Sequence, residues 1–146
     1  TNYNKMKKVL IINARYYKDI TSKLFSNANR ILKKSKIITY NISVPGVFEV
    51  PVVIKKNIKK FDGFVALGCV IKGKTPHFDL ICESSFNAIM GLSIKYSKPI
   101  GNGIITAFNQ KQAYERCGII KSNKPNKGSE AAKAVINILN ASPKKI

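Results

Sequence analysis

Short apolar runs alternate along the chain with longer stretches in which apolar positions recur every three or four residues, the pattern of strands alternating with amphipathic helices. The first run, KVLIIN at 8–13, has the length of a buried strand. A helix is predicted over 19–34, with Ile20, Leu24, Ala28, Ile31 and Leu32 on one face. A second strand over 36–43 (KIITYNIS) is ended by Pro45-Gly46. Residues 48–60 predict a helix whose Lys-rich end suits the negative pole of a helix dipole. Its Pro51 fits only near the first turn. FVALGCVI at 64–71 is the clearest strand, followed by a helix over 79–96 that Asp79 could cap. GIITAF at 103–108 predicts the fourth strand, and helices over 109–117 and 128–140 complete the chain.

Continuously apolar strands joined by helices predict a parallel sheet covered on both faces. With right-handed crossovers this becomes a flavodoxin-like three-layer α/β/α sandwich, a four-stranded parallel sheet with helices on both faces, forming a single domain over residues 1–146. Ligands of such sheets bind beyond the carboxyl ends of the strands. That places Asn13–Tyr17, Val44–Glu49, Gly68–His77 and the segment after Thr106 around one prospective site, and the unusual polar and aromatic residues concentrate there.

Composition narrows the choice. The 146 residues are 45% hydrophobic and 23% charged, as in a globular protein with one core. No apolar run is long enough to span a bilayer or to form an uncleaved signal peptide, and a start at Thr1 suggests a trimmed or processed end. The net charge is +19, from 26 Lys+Arg against 7 Asp+Glu, which raises nucleic acid or an anionic membrane as a partner. Only Arg15, Arg30 and Arg116 are arginines, and the lysines are spread along the whole chain among many Ile and Asn. That distribution favours compositional drift over a nucleic-acid footprint, although the field would draw in anionic ligands either way. Cys69, Cys82 and Cys117 form no CxxC pair, and one histidine makes no zinc site; reduced thiols in a cytoplasm are the simplest reading.

Residues 68–75, GCVIKGKT, match the phosphate-loop pattern GxxxxGK[ST]. The match is weak physically, because the intervening residues look like strand and Pro76-His77 follows where a helix should already be running. Lys74, Thr75 and nearby amides could still hold a smaller phosphate, against the alternative of one more solvated lysine. His77, the only histidine, is the simplest group for proton transfer near neutral pH. Asp79 either orients it or caps the helix. Arg116 offers a guanidinium fork for phosphate oxygens, or a dipole-favoured cation at a helix end. Glu49 could accept from ligand hydroxyls or favour a helix N-terminus. Tyr16 and Tyr17 could stack on a planar ligand or pack on the sheet, and Cys69 reads as a core thiol.

Taken together, VPGVFEVP (44–51), FDGFVALGCVIKGKTPHFD (61–79), NGIIT (102–106), QAYERCG (112–118) and NKGSEAA (126–132) resemble the lumazine synthase family over about residues 8–140. The resemblance implies condensation of 5-amino-6-(D-ribitylamino)uracil with 3,4-dihydroxy-2-butanone 4-phosphate, without metal or organic cofactor, in riboflavin biosynthesis. It implies that Tyr16 stacks on the pyrimidine, where Phe is more usual. Val47, Phe48 and Glu49 would hold the ribityl chain, and Cys69, Val70 and Ile71 would read the uracil edge through their backbone. Lys74, Thr75 and Arg116 would bind phosphate, and His77 would move protons. Lys127 matches a lysine near the pyrimidine end, with Lys124 as its rival because the spacing from Arg116 is longer than usual. Asn102 stands where many members carry an aromatic, which leaves it a backbone contact. The family further implies homopentamers, or closed shells of pentamers, with sites between neighbouring subunits. Two rival classes remain: a phosphate-loop nucleotidase, and a basic flavodoxin-like module binding nucleic acid or flavin.

Overall fold

The computed structural model describes residues 5–146. Four strands, β1 (Lys8–Ala14), β2 (Ile38–Val44), β3 (Gly63–Ile71) and β4 (Ile100–Ala107), form one sheet in the order β2-β1-β3-β4. All neighbours are parallel. The helices are α1 (Lys18–Lys34), α2 (Val50–Lys56), α3 (His77–Tyr96), α4 (Gln110–Cys117) and α5 (Lys127–Asn140), with a single 3-10 turn at Val47–Glu49 before α2. The result is the flavodoxin-like three-layer arrangement, because each face of the sheet has its own apolar cluster. Val9, Ile11, Val65, Leu67 and Ile105 pack under α1, α4 and α5. On the opposite face Leu10, Ile12, Phe64, Ala66 and Ile104 pack under α2 and α3. The alternation follows from the two-residue period of a strand.

Several boundaries differ from the sequence reading, each for a local reason. The helix predicted over 48–60 breaks into the 3-10 turn and the short α2, with Pro51 in the first turn and Asn57 closing it. The predicted cap at Asp79 is wrong: α3 begins two residues earlier, behind Pro76, and no side chain caps it. Proline already holds a helix-compatible φ of −69°, so the turn can start there. Asp79 sits inside the first turn, where a carboxylate still suits the dipole. The fourth strand starts at Ile100 rather than at residue 103, since Gly101 and Gly103 sit within the ladder. β2 is not covered on both faces; as the outer strand it exposes Ile38, Tyr40 and Ile42.

α5 lies unusually close to the sheet and to α1. A Cβ on Gly101 would strike the Ala131 carbonyl, lying 2.8 Å from its carbon and 2.9 Å from a Val135 methyl, and one on Gly128 would lie 3.0 Å from the backbone of Leu24. Glycine is needed at both positions because backbone occupies the space of a side chain. Gly101→Ala is therefore expected to lower stability by about 1–3 kcal/mol through overpacking, read as a lower urea midpoint at an unchanged slope.

Candidate active site

β3 continues beyond its neighbour on one side. Its pairing with β1 stops at Asn13↔Leu67, whereas its pairing with β4 runs on to Ile71↔Ala107. The last four residues of β3 thus have no strand on the β1 side, because β1 ends at Ala14 and the chain turns away through Arg15 and Tyr16. Alternate N–H and C=O groups there face a cleft instead of a ladder, and buried backbone groups demand partners.

That cleft, about 390 Å³, is bounded by three of the carboxyl-edge segments. Tyr16 and Tyr17 form one wall, with ring centroids 4.9 Å apart in an edge-to-face pair, and Tyr16 remains 76% exposed. The turn Gly46–Glu49 forms another, presenting Val47, Phe48 and the Glu49 carboxylate. Cys69, Val70 and Ile71 supply the floor, and His77 with Ile81 closes the far side from the start of α3. Burial pushes the Cys69 thiol up to about 12, so it stays protonated and apolar in behaviour at neutral pH. Burial likewise pushes up the Tyr17 phenol.

Lys74 and Thr75 lie on the exposed loop between β3 and α3, next to this cleft rather than in its lining. The Thr75 hydroxyl accepts from the His77 N–H at 3.4 Å. Since Gly68–Ile71 is strand and the helix begins at His77, GCVIKGKT does not have the strand–loop–helix geometry of a nucleotide phosphate loop. Asn102 is placed differently: it sits opposite Ala66, well back from the strand end, with its side-chain oxygen accepting from the Ile104 N–H at 3.1 Å. Arg116 and Lys127 also lie outside the cleft, at the end of α4 and the start of α5, both near Glu130 (3.9 and 3.8 Å). The Arg116 Nε is buried without a hydrogen-bond partner, and its long contact with Glu130 leaves donors available to an anion. The predicted residues therefore divide between those that line the cleft and those that stand outside it.

Ile81 was missed by the sequence reading, although it stands four residues after His77 and so shares its helix face. Tyr114 was missed too: its hydroxyl donates to the Asp19 carboxylate at 2.7 Å and accepts from Gln110 at 2.9 Å, tying the helix of Arg116 to the start of α1. That bond joins residues 95 positions apart, which no local pattern reveals.

The family model described as 6,7-dimethyl-8-ribityllumazine synthase matches residues 6–142. The chain belongs to the 6,7-dimethyl-8-ribityllumazine synthase family. Among similar proteins, the 6,7-dimethyl-8-ribityllumazine synthase of Bartonella bacilliformis is 41% identical over 88% of this chain and 85% of its own length. Those of Agrobacterium fabrum (37%, over 90% of this chain and 91% of the relative) and Ruthia magnifica (38%, over 94% and 87%) are similar along nearly the same span. Of the residues foreseen from the sequence, the cleft gathers Tyr16, Val47, Phe48, Glu49, Cys69, Val70, Ile71 and His77, and Lys74, Thr75, Asn102, Arg116 and Lys127 lie outside its lining. The described residues include no helix long and apolar enough to cross a membrane.

The raised Cys69 pKa has a measurable consequence. An unfolded thiol ionises near 9 while this folded one ionises near 12, so above pH 9 the unfolded state binds fewer protons and stability falls. The loss approaches about 1.4 kcal/mol per pH unit for one proton. Urea unfolding at stepped pH is expected to show a shallower alkaline decline for Cys69→Ala than for the unaltered chain, with both parallel below pH 8.

Proposed function

We propose that this chain is a transferase that condenses 5-amino-6-(D-ribitylamino)uracil with 3,4-dihydroxy-2-butanone 4-phosphate. The products are 6,7-dimethyl-8-ribityllumazine, inorganic phosphate and water, in riboflavin biosynthesis. The observation that carries the reading is the overhang of β3, which sets unpaired strand backbone between an exposed aromatic ring, a carboxylate and the only imidazole. A flat heterocycle with donors and acceptors along one edge and a polyhydroxyl tail fits that set of groups. The Tyr16 ring stacks on the pyrimidine, the backbone of Cys69, Val70 and Ile71 reads its edge, and Val47, Phe48 and Glu49 hold the ribityl chain. Neither metal nor organic cofactor is required.

The phosphate of the second substrate lies at the loop before α3. Lys74, the Thr75 hydroxyl and the first amides of a 20-residue helix supply charge and donors there. Arg116 supplies the fork, with Lys127 beside it and Asn102 at the heterocycle. Because these three stand outside the cleft of their own protomer, they serve the cleft of a neighbour, and the working unit is a homopentamer or a multiple of it. Support for a covered surface comes from α3, which leaves Leu80, Met90 and Ile94 between 61% and 71% exposed. Phe78, Cys82, Phe86 and Phe108 line a further apolar groove beside it. Residues 1–146 act as one domain, and free Cys69, Cys82 and Cys117 suit a cytoplasmic setting.

In the reaction the substrate amine attacks the ketone, losing water to form an imine. Phosphate then leaves, and the ring closes with loss of water. His77 relays protons between these steps. The amine is already nucleophilic, so holding the two reactants face to face supplies much of the acceleration. His77→Ala is therefore expected to slow lumazine formation by about a hundredfold without abolishing it, followed by product fluorescence; a fall to the uncatalysed rate contradicts this role. Arg116→Ala is expected to raise KM for the phosphate-bearing substrate by about tenfold or more, the worth of a charged hydrogen bond. Co-assembled His77→Ala and Arg116→Ala chains recover activity above either alone if the site is shared, and do not if each protomer is self-sufficient.

A further inference from the structure

About half of the lysines that are scattered in sequence are gathered in space at one edge of the sheet. Every strand is parallel, and α1, α2 and α3 run back against them, so the last turns of these helices lie at the amino edge of the sheet. Lys33 and Lys34, Lys55 and Lys56, and Lys95 occupy those last turns. At the same edge Lys5 and Lys7 lead into β1, which Lys8 begins, and Lys59 and Lys60 precede β3. With Lys98 they line a concave surface of about 470 Å³. A second hollow of about 390 Å³ shares Lys5 and Lys7 and extends to Lys36.

Carboxylates are segregated to the other end. Asp19, Glu49, Asp79 and Glu130 stand in first turns. Glu83 follows in the next turn of α3, and Glu115 lies on α4 beside Lys23 and Lys121. Only Asp62 lies at the basic edge, and its carboxylate accepts the Lys8 N–H at 2.8 Å. Lys98 is also committed, donating to the Ile58 and Phe61 carbonyls. Lys5, Lys7, Lys59 and Lys60 are exposed, with no ion pair among the described residues.

An aromatic pair adjoins this surface. Tyr40, 48% exposed, and Phe61 meet edge to face at 5.3 Å, with the Lys8 Nζ 6.0 and 5.9 Å from their ring centroids. A positive groove with an accessible aromatic beside it is the combination that holds single-stranded nucleic acid, phosphates on the cations and a base on the ring. Lysines are point charges without a planar fork, so they grip the backbone and read no bases.

We propose that the amino edge of the sheet is a docking surface for single-stranded nucleic acid, bound without sequence preference. This reverses the premise that scattered lysines argue against such a footprint, and it is independent of the reaction at the opposite edge. The test is fluorescence anisotropy of a labelled mixed-sequence RNA 20-mer at stepped salt. It compares the unaltered chain, a Lys5→Gln/Lys7→Gln/Lys59→Gln/Lys60→Gln variant, and a control of equal net charge, Lys18→Gln/Lys23→Gln/Lys111→Gln/Lys121→Gln.

The edge variant is expected to lose about tenfold or more in affinity at low salt. Its log–log salt slope is expected to be shallower by about 3, from roughly 0.7 for each lost phosphate contact. The control is expected to keep most of both. Tyr40→Ala is expected to weaken binding about fivefold with the slope unchanged. Equal losses in the two quadruple variants would overturn the proposal, since net charge alone would then explain binding. So would a neutral Tyr40→Ala, or displacement of the RNA by polyglutamate or anionic vesicles at matched charge.

Discussion

The unequal pairing of β3 is the constraint on which the molecule depends. From Gly63 to Val70 every residue of this strand is buried, and such burial is tolerable only where backbone groups have partners. β1 and β4 provide them on both sides as far as Leu67. Beyond that point one side is given up, and the chain leaves β1 through the Tyr16-Tyr17 pair, so the strand edge without a β1 partner opens into a cleft. The small residues Gly68 and Ala14 permit the departure: a Cβ on Gly68 would lie 2.8 Å from a Val47 methyl and 3.2 Å from the Ala14 Cβ. Bulk there would push the Val47–Glu49 turn off the strand and spoil the wall that carries Glu49.

Much of this was legible in the sequence because the deciding signals were local. Strand-length apolar runs and helical spacing gave four parallel strands in the correct layers, and the carboxyl-edge rule grouped Tyr16, Glu49, Cys69 and His77 before any coordinates. What was misread involved competition between neighbours. Asp79 has the chemistry of a cap, yet Pro76 starts the helix first, which moves His77 from a loop onto the first helical position. Pro51 and Asn57 cut the predicted long helix to seven residues. Arg116 could be recognised but not placed, since its position depends on how α4 is tied to α1 through Tyr114 and Asp19.

The distribution of charge follows from the same topology. Helices that return antiparallel to their strands bring their carboxyl turns to one edge, and cations there complement the dipoles. Acids favour the first turns for the same reason, but Lys18, Lys111 and Lys127 stand in first turns too, so helix electrostatics biases the two signs without separating them. Of the carboxylates only Glu49 lines the cleft, whereas Glu115 and Glu130 lie on α4 and α5 and Asp62 at the amino edge.

The bare outer strand bears on how newly made chains behave in a crowded cell. Among the described residues β2 pairs only with β1, and its Ile38, Tyr40 and Ile42 side chains are in solvent, a template on which a stray extended segment could add. Lys36 just before it and Lys7 beside its start give like molecules a reason to repel one another. Heavy cationic decoration thus opposes unwanted edge-to-edge association between like chains.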